Sequence, residues 1–167
     1  VELRPAVEAD APLIRRWLEA DHVRAFWGEP ETNARLLAPP APGEWRAIIL
    51  AEARAVGLVI WRHPTRQELD QAGLTEIPAT AIDLDIMLGE DQARGRGLGA
   101  AAIALVAERA LADPAVPLVI AAVMAGNQAS LRAFAKAGFQ PEREFDEPPG
   151  GRHVLMARWR RTPDQAP

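Results

Sequence analysis

The segment from Ala81 to Val123 constrains the fold more than any other part of the chain. Ala81–Leu88 alternates with period two: Ile82, Leu84, Ile86 and Leu88 share one face, while Asp83, Asp85 and Met87 share the other, which is the pattern of a strand. A charged, glycine-containing loop, Gly89–Gly97, follows. Leu98–Ala112 is alanine-rich and carries Ile103, Val106, Ala107 and Ala110 at helical spacing. Leu118–Val123 is a continuous apolar run, a buried strand. Strand, loop, helix and strand in this order read as a right-handed crossover.

The flanking segments read differently. Val1–Pro5 is short and extended, and Asp10 is placed to cap a helix reaching about Ala20, with Pro12 in its first turn. Asp21–Gly28 reads as a second short helix and Glu29–Gly43 as a loop ending in Pro39, Pro40, Pro42 and Gly43. Trp45–Ala53 and Val56–Arg62 form a hairpin turning at Arg54-Ala55, and Pro64–Pro78 is a polar insertion with one helical turn at Arg66–Gln71. Asn127–Ala137 is a helix stopped by Gly138, and Phe139–Phe145 and Arg152–Trp159 make a last hairpin through Pro148-Pro149-Gly150-Gly151. The expected fold is α/β (α+β): a mixed, mostly antiparallel central sheet with helices on both faces. It forms a single domain over residues 1–161, and 162–167 are a disordered tail.

Composition removes several functions. With no cysteine, disulfides, thiolate metal sites and a cysteine nucleophile are excluded. His22, His63 and His153 are far apart and lack metal-ligand spacing, so no metal is expected. A net charge of −4 and a pI near 5.4 argue against a nucleic-acid partner and suit a cationic small molecule. No apolar run approaches the ~20 residues of a membrane span, and Glu2, Arg4, Glu8 and Asp10 are unlike a signal peptide. The expectation is a cytoplasmic protein with no membrane partner. Lys136 is the only lysine among many arginines, which with the alanine excess reads as the base bias of a bacterial genome.

The segment Gln92-Ala93-Arg94-Gly95-Arg96-Gly97-Leu98-Gly99-Ala100 carries the chemistry. Glycines let a backbone approach a ligand closely, and the first N–H groups of the following helix bind phosphate oxygens. Arg94 and Arg96 add positive charge at the same place. By itself the spacing also fits a tight strand-to-helix turn. A dinucleotide-binding fold fits less well, because no acidic residue ends the next strand.

Gln92-x-x-Gly95-x-Gly97 with its helix resembles the acyl-CoA pyrophosphate loop of the GNAT N-acetyltransferases. Asn127-x-x-Ser130-x-x-x-Phe134-x-Lys136-x-Gly138-Phe139 resembles that family's second signature. The element order is similar across nearly the whole chain. Asp21-His22-Val23, Phe26-Trp27-Gly28 and Ile82–Leu88 resemble the bacterial aminoglycoside 6'-N-acetyltransferase branch, with siderophore hydroxylysine and protein N-terminal acyltransferases similar in the same places. The resemblance implies acetyl-CoA as co-substrate, held by Met87, Leu88, residues 92–100, Asn127, Ser130 and Phe134. It also implies a primary amine of a small, cationic acceptor, with homodimers common in the family.

Transfer of acetyl to an amine requires the amine to be neutral when it attacks, and a donor for the developing oxyanion. Two carboxylates on one face of a central strand are costly unless used or paired. The resemblance gives Asp85 the amine, with Asp83 and Trp27 beside the acceptor and a backbone N–H near Met87 or Leu88 as oxyanion donor. Against these stand plainer roles: ion pairs for the carboxylates, and core packing for Trp27, Phe26, Trp45 and Trp61. His22 reads as a structural residue, and Glu68, Asp70 and Glu76 as a solvated loop or a lure for a polycation. The sequence departs from the family twice. Phe134 stands where many relatives carry a tyrosine acid, and Ala121-Ala122-Val123-Met124 lacks an aspartate that the aminoglycoside enzymes carry. A non-catalytic acyl-CoA-binding module is the alternative of another class.

Overall fold

The computed structural model describes residues 1–147 and 151–160. Strands β1 (Glu2–Pro5), β2 (Glu44–Ala51), β3 (Arg54–Arg62), β4 (Ile82–Leu88), β5 (Leu118–Met124), β6 (Gln140–Glu147) and β7 (Gly151–Trp159) form one sheet in the order β1-β2-β3-β4-β5-β7-β6. Every pairing is antiparallel except β4 with β5. That parallel pair is joined by helix α4 (Leu98–Ala112), as the crossover requires. The expected mixed sheet with helices on both faces is therefore observed.

The alternation of β4 divides the core. Ile82, Leu84, Ile86 and Leu88 pack on the side of α4 and of α5 (Gln128–Lys136), with Ile103, Val106, Ala107 and Phe139. Met87 faces the opposite side, among Ile14, Trp17 and Leu18 of α1 (Ala11–Glu19), Val23 of α2 (Asp21–Trp27) and Leu58 and Ile60 of β3. A third cluster lies under α3 (Arg66–Gln71), where Leu69, Leu74 and Ile77 cover Leu118, Ile120 and Leu155.

Three local expectations differ from the structure. Asp10 sits before α1 but makes no side-chain cap to it. Its carboxylate instead takes the Arg4 guanidinium in two bonds of 2.8 and 3.0 Å and the Val7 N–H at 2.9 Å. These charge-assisted bonds outweigh a single capping bond. The expected loop at 29–43 contains a 3₁₀ segment, Pro30–Leu37, which buries Leu36. Arg46 stabilises its end by donating to the carbonyls of Leu36 and Ala38 at 3.2 and 2.7 Å. The β2–β3 turn lies at Glu52 and Ala53, not at Arg54-Ala55, with φ of 53° and 61°. Two left-handed residues are what a tight hairpin needs, and neither is the glycine that would mark it in sequence. The Pro148–Gly150 part of the last turn and the tail lie outside the described residues. Among the described residues no helix is long and apolar enough to cross a membrane.

Candidate acyl-transfer site

β4 and β5 are in register only at Ile82↔Val119 and Asp83↔Ile120. From Leu84 onward the strands diverge, and a cleft of about 340 Å³ opens between the end of β4 and the start of α5. Ile86, Met87 and Leu88 line it from the sheet. Gly95, Gly97, Gly99 and Ala100 line it from the loop and first turn of α4, and Asn127, Ala129, Ser130 and Ala133 from α5. His22, Val23, Phe26 and Trp27 come from α2.

The end of β4 is held from three sides. In β3 an extra residue at Val56 breaks the register between Ile49↔Gly57 and Leu50↔Ala55. The Val56 carbonyl accepts from the N–H groups of Gly89 and Glu90, at 2.9 and 3.2 Å. Beside it, Gly57 lets the Met87 carbonyl come so close that a Cβ at 57 would lie 2.3 Å from that oxygen. From α1, the Trp17 indole lies flat on Gly89, where a Cβ would lie 1.9 Å from the ring, and Trp17 Nε1 donates to Glu90 at 2.8 Å. That bond, with the Arg16 guanidinium on the same carboxylate, holds Glu90 below its ordinary pKa against the opposing effect of burial. From α2, His22 Nε2 donates to the Leu88 carbonyl at 2.9 Å. His22 thus has the structural role expected, although it also borders the cleft.

The loop before α4 is shaped to receive an anion. Gly95 and Gly97 have φ of 72° and 79°, a left-handed backbone that other L residues adopt only under strain. Gly97 occupies the N-cap of α4 and offers no side-chain cap, so the first-turn N–H groups face outward uncapped by it. A Cβ at Gly97 would lie 3.5 Å from Lys136 Nζ. Arg94, Arg132 and Lys136 border the same cleft. A glycine cradle, a helix N-terminus and three cations fit the pyrophosphate of an acyl-CoA. Asn127 caps α5, its Oδ1 accepting the Ser130 N–H at 3.1 Å.

The expected site residues separate into groups. Trp27, Met87, Leu88, Arg94, Gly95, Gly97, Gly99, Ala100, Asn127 and Ser130 converge on the cleft. Gln92, Ala93, Arg96 and Leu98 do not line it: Ala93 is buried in the core, Leu98 packs against that core, and Arg96 pairs with Glu52 at 3.3 Å. Phe134 is a correction. It is 2 % exposed and packs edge-on against Phe139 with ring centroids 5.1 Å apart, away from the cleft. The i, i+3, i+4 geometry of α5 explains the difference, since Ala129, Arg132, Ala133 and Lys136 share the cleft face and Phe134 the core face. Lys136 and Arg132 were missed as site residues, and that same spacing was the signal that could have found them.

Asp83 and Asp85 lie on the other face of β4, the one that carries Met87, opposite Arg62 and Ile60 of β3. Arg62 Nη2 is 3.7 Å from Asp83, and Arg62 Nη1 donates to Glu68 of α3 at 2.8 Å. Glu68 also receives the Thr65 N–H and hydroxyl at 2.8 Å each. The Arg62 bond, reinforced by Thr65, brings the Glu68 carboxyl from 4.5 down to about 2. Among the described residues no cluster of side chains suits a metal ion.

Comparison with known proteins agrees with this geometry. Residues 6–147 match the family model of the acetyltransferase (GNAT) domain. Aminoglycoside acetyltransferase AAC(6')-Ib in complex with ribostamycin and coenzyme A superposes with a TM-score of 0.82 at 22% identity, covering 98% of both chains. The same enzyme with coenzyme A alone gives 0.81 at 23% identity, over 95% of this chain and 94% of that one. A chimera of the spermidine N-acetyltransferase SpeG from Vibrio cholerae with hSSAT gives 0.70 at 14% identity, over 96% of each. No curated protein sequence matches significantly. With most of its length matched by the family model, and with the cleft and glycine loop that an acyl-CoA needs, the chain belongs to the GNAT family of acetyl-CoA-dependent N-acetyltransferases.

Proposed function

We propose that residues 1–161 act as one acyltransferase domain that acetylates a primary amine of a small, polar, cationic acceptor of the aminoglycoside kind. The observation that carries this reading is the acidic face of β4, where Asp83 and Asp85, which do not themselves line the cleft, share a face with Met87, which does. Acetyl-CoA supplies an activated thioester, and the Gly95–Gly97 loop, the first turn of α4, Arg94, Arg132 and Lys136 would hold its phosphates.

Asp85 receives the acceptor ammonium and takes a proton from it, which leaves a neutral amine able to attack directly. Asp83 orients the acceptor by charge, and Trp27 with Phe26 gives it an apolar wall. A backbone N–H at Met87 or Leu88 is the donor for the developing oxyanion, held in place by Val56, Gly57, Trp17 and His22. With Phe134 in the core and no tyrosine in the chain, no phenol serves the departing sulfur. A thiol of pKa ~8.5 leaves near neutral pH without one.

The test is thiol release from acetyl-CoA over a panel of amines: an aminoglycoside, spermidine, a monoamine and a peptide with a free N-terminus. The aminoglycoside or spermidine is expected to be preferred. In Asp85→Asn, kcat/KM for that acceptor is expected to fall by roughly 10²–10⁴ with acetyl-CoA affinity kept. Preference for the peptide, or wild-type turnover in Asp85→Asn, overturns the reading.

A further inference from the structure

Arg62 stands at the centre of the acidic face without a part in the chemistry above. It ends β3 directly opposite Asp83, and Asp85 is opposite Ile60 two residues back on the same face. Its guanidinium bridges two elements, with one nitrogen on Glu68 of α3 at 2.8 Å and the other 3.7 Å from Asp83 of β4. Asp85 is close enough to act on Arg62 through space. Only 27 % of the Arg62 side chain is exposed, and 22 % of that of Asp83, so solvent screens these charges only in part. Among the described residues, Arg62 is thus set between the carboxylates of Glu68 and Asp83.

We propose that Arg62 sets the charge preference of the acceptor site, acting as a built-in cation that limits how many positive charges an acceptor can place against Asp83, Asp85 and Glu68. The inference rests on the reading that the acceptor binds this face of β4. Arg62 already occupies part of the position that a second or third ammonium of a polyamine would take. A monoamine engages one carboxylate and barely meets the guanidinium. A triamine meets its repulsion once for each additional charge. Removing one unit charge ~7 Å away changes the attraction for each acceptor charge enough to alter binding by about 5–10-fold, at an effective dielectric between those of protein surface and water.

The experiment measures KM for butylamine, 1,4-diaminobutane and spermidine in wild type, Arg62→Met, Arg62→Lys and Glu68→Gln, with acetyl-CoA affinity by calorimetry as the check on folding. In Arg62→Met the ratio of spermidine KM to butylamine KM is expected to fall about 25–100-fold, which is about 5–10-fold for each of the two additional charges, and Arg62→Lys is expected to restore the wild-type ratio. Glu68→Gln removes a negative charge at the other end of the same bridge and is expected to raise the ratio. A purely structural bridge would instead move both variants in the same direction. An unchanged ratio in Arg62→Met that still binds acetyl-CoA overturns the proposal, as does a fall in Glu68→Gln. If Arg62→Met does not bind acetyl-CoA, the Glu68→Gln and Arg62→Lys ratios decide by the same signs. If wild type turns over none of the three amines, the panel that includes the aminoglycoside decides the acceptor reading separately. Calorimetric binding of spermidine to the coenzyme A-loaded protein then decides the role of Arg62, equal affinity in wild type and Arg62→Met refuting it.

Discussion

Gly57→Ala tests how the end of β4 is held. Gly57 faces Leu88 across the β3–β4 ladder, next to the bulge at Val56. Its missing side chain lets the Met87 carbonyl approach to where a Cβ would be 2.3 Å away, with Leu88 Cα at 3.1 Å. A relaxed carbon–oxygen contact is about 3.3 Å, so an alanine must push the Met87–Leu88 peptide back by about 1 Å. The obstacle is backbone in the middle of a sheet, which has no rotamer to escape into. Overpacking of this kind costs about 1–3 kcal/mol, and a chain of this length loses about 2–4 °C in Tm per kcal/mol. A displacement of ~1 Å at reacting groups costs ~10² in rate, and Met87 and Leu88 line the cleft. Gly57→Ala is therefore expected to melt several degrees lower and to lose about 100-fold in kcat. Gly126→Ala is the control, since nothing lies within 4 Å of a Cβ there and it is expected to behave as wild type. Thermal melts and single-turnover thiol release make the comparison. Wild-type Tm and kcat in Gly57→Ala would refute the idea that this close approach positions the end of β4.

Phe134→Tyr is expected to place an unpaired hydroxyl in the core beside Phe139 and to lose about 1–3 kcal/mol in thermal or denaturant melts. A gain in kcat would show that the ring reaches the cleft after all. Lys136→Gln is expected to weaken acetyl-CoA binding by calorimetry several-fold, more at low salt than at high, because Lys136 borders the Gly97 cradle. Acid melts report on Asp10 and Glu68, both held below their ordinary pKa, first of all by their bonds to Arg4 and Arg62. Such carboxylates bind protons more weakly in the folded chain, so their stabilisation is complete above the ordinary value and is lost as pH falls. For Glu68 the window runs from 4.5 down to about 2. Its side chain is 46 % exposed, so its share is about 1 kcal/mol at most. Arg62→Met is expected to flatten that part of the curve.

The sequence determined the elements whose signals are local. The period-two pattern of residues 81–88 and the apolar spacing of 98–112 specify β4 and α4, because a strand and a helix each repeat a face at fixed intervals. Glycines at 95 and 97 were legible because positive φ admits few other residues, and their place before a helix pointed to phosphate. Asn127 and Ser130 were legible as the start of α5. What tertiary structure decided is which side of each element meets the cleft, and what occupies the rest of the space. Phe134 and Lys136 lie two residues apart in one motif, yet α5 turns the first into the core and the second to the glycine loop. Trp17 and His22 lie far in sequence from Gly57, and all three lie far from the last residues of β4, where only the packing of α1, α2 and β3 brings them together. Arg62 joins Asp83 to Glu68 for the same reason. Strand register and the docking of the α3 insertion create that contact, and neither is encoded by any short stretch of residues.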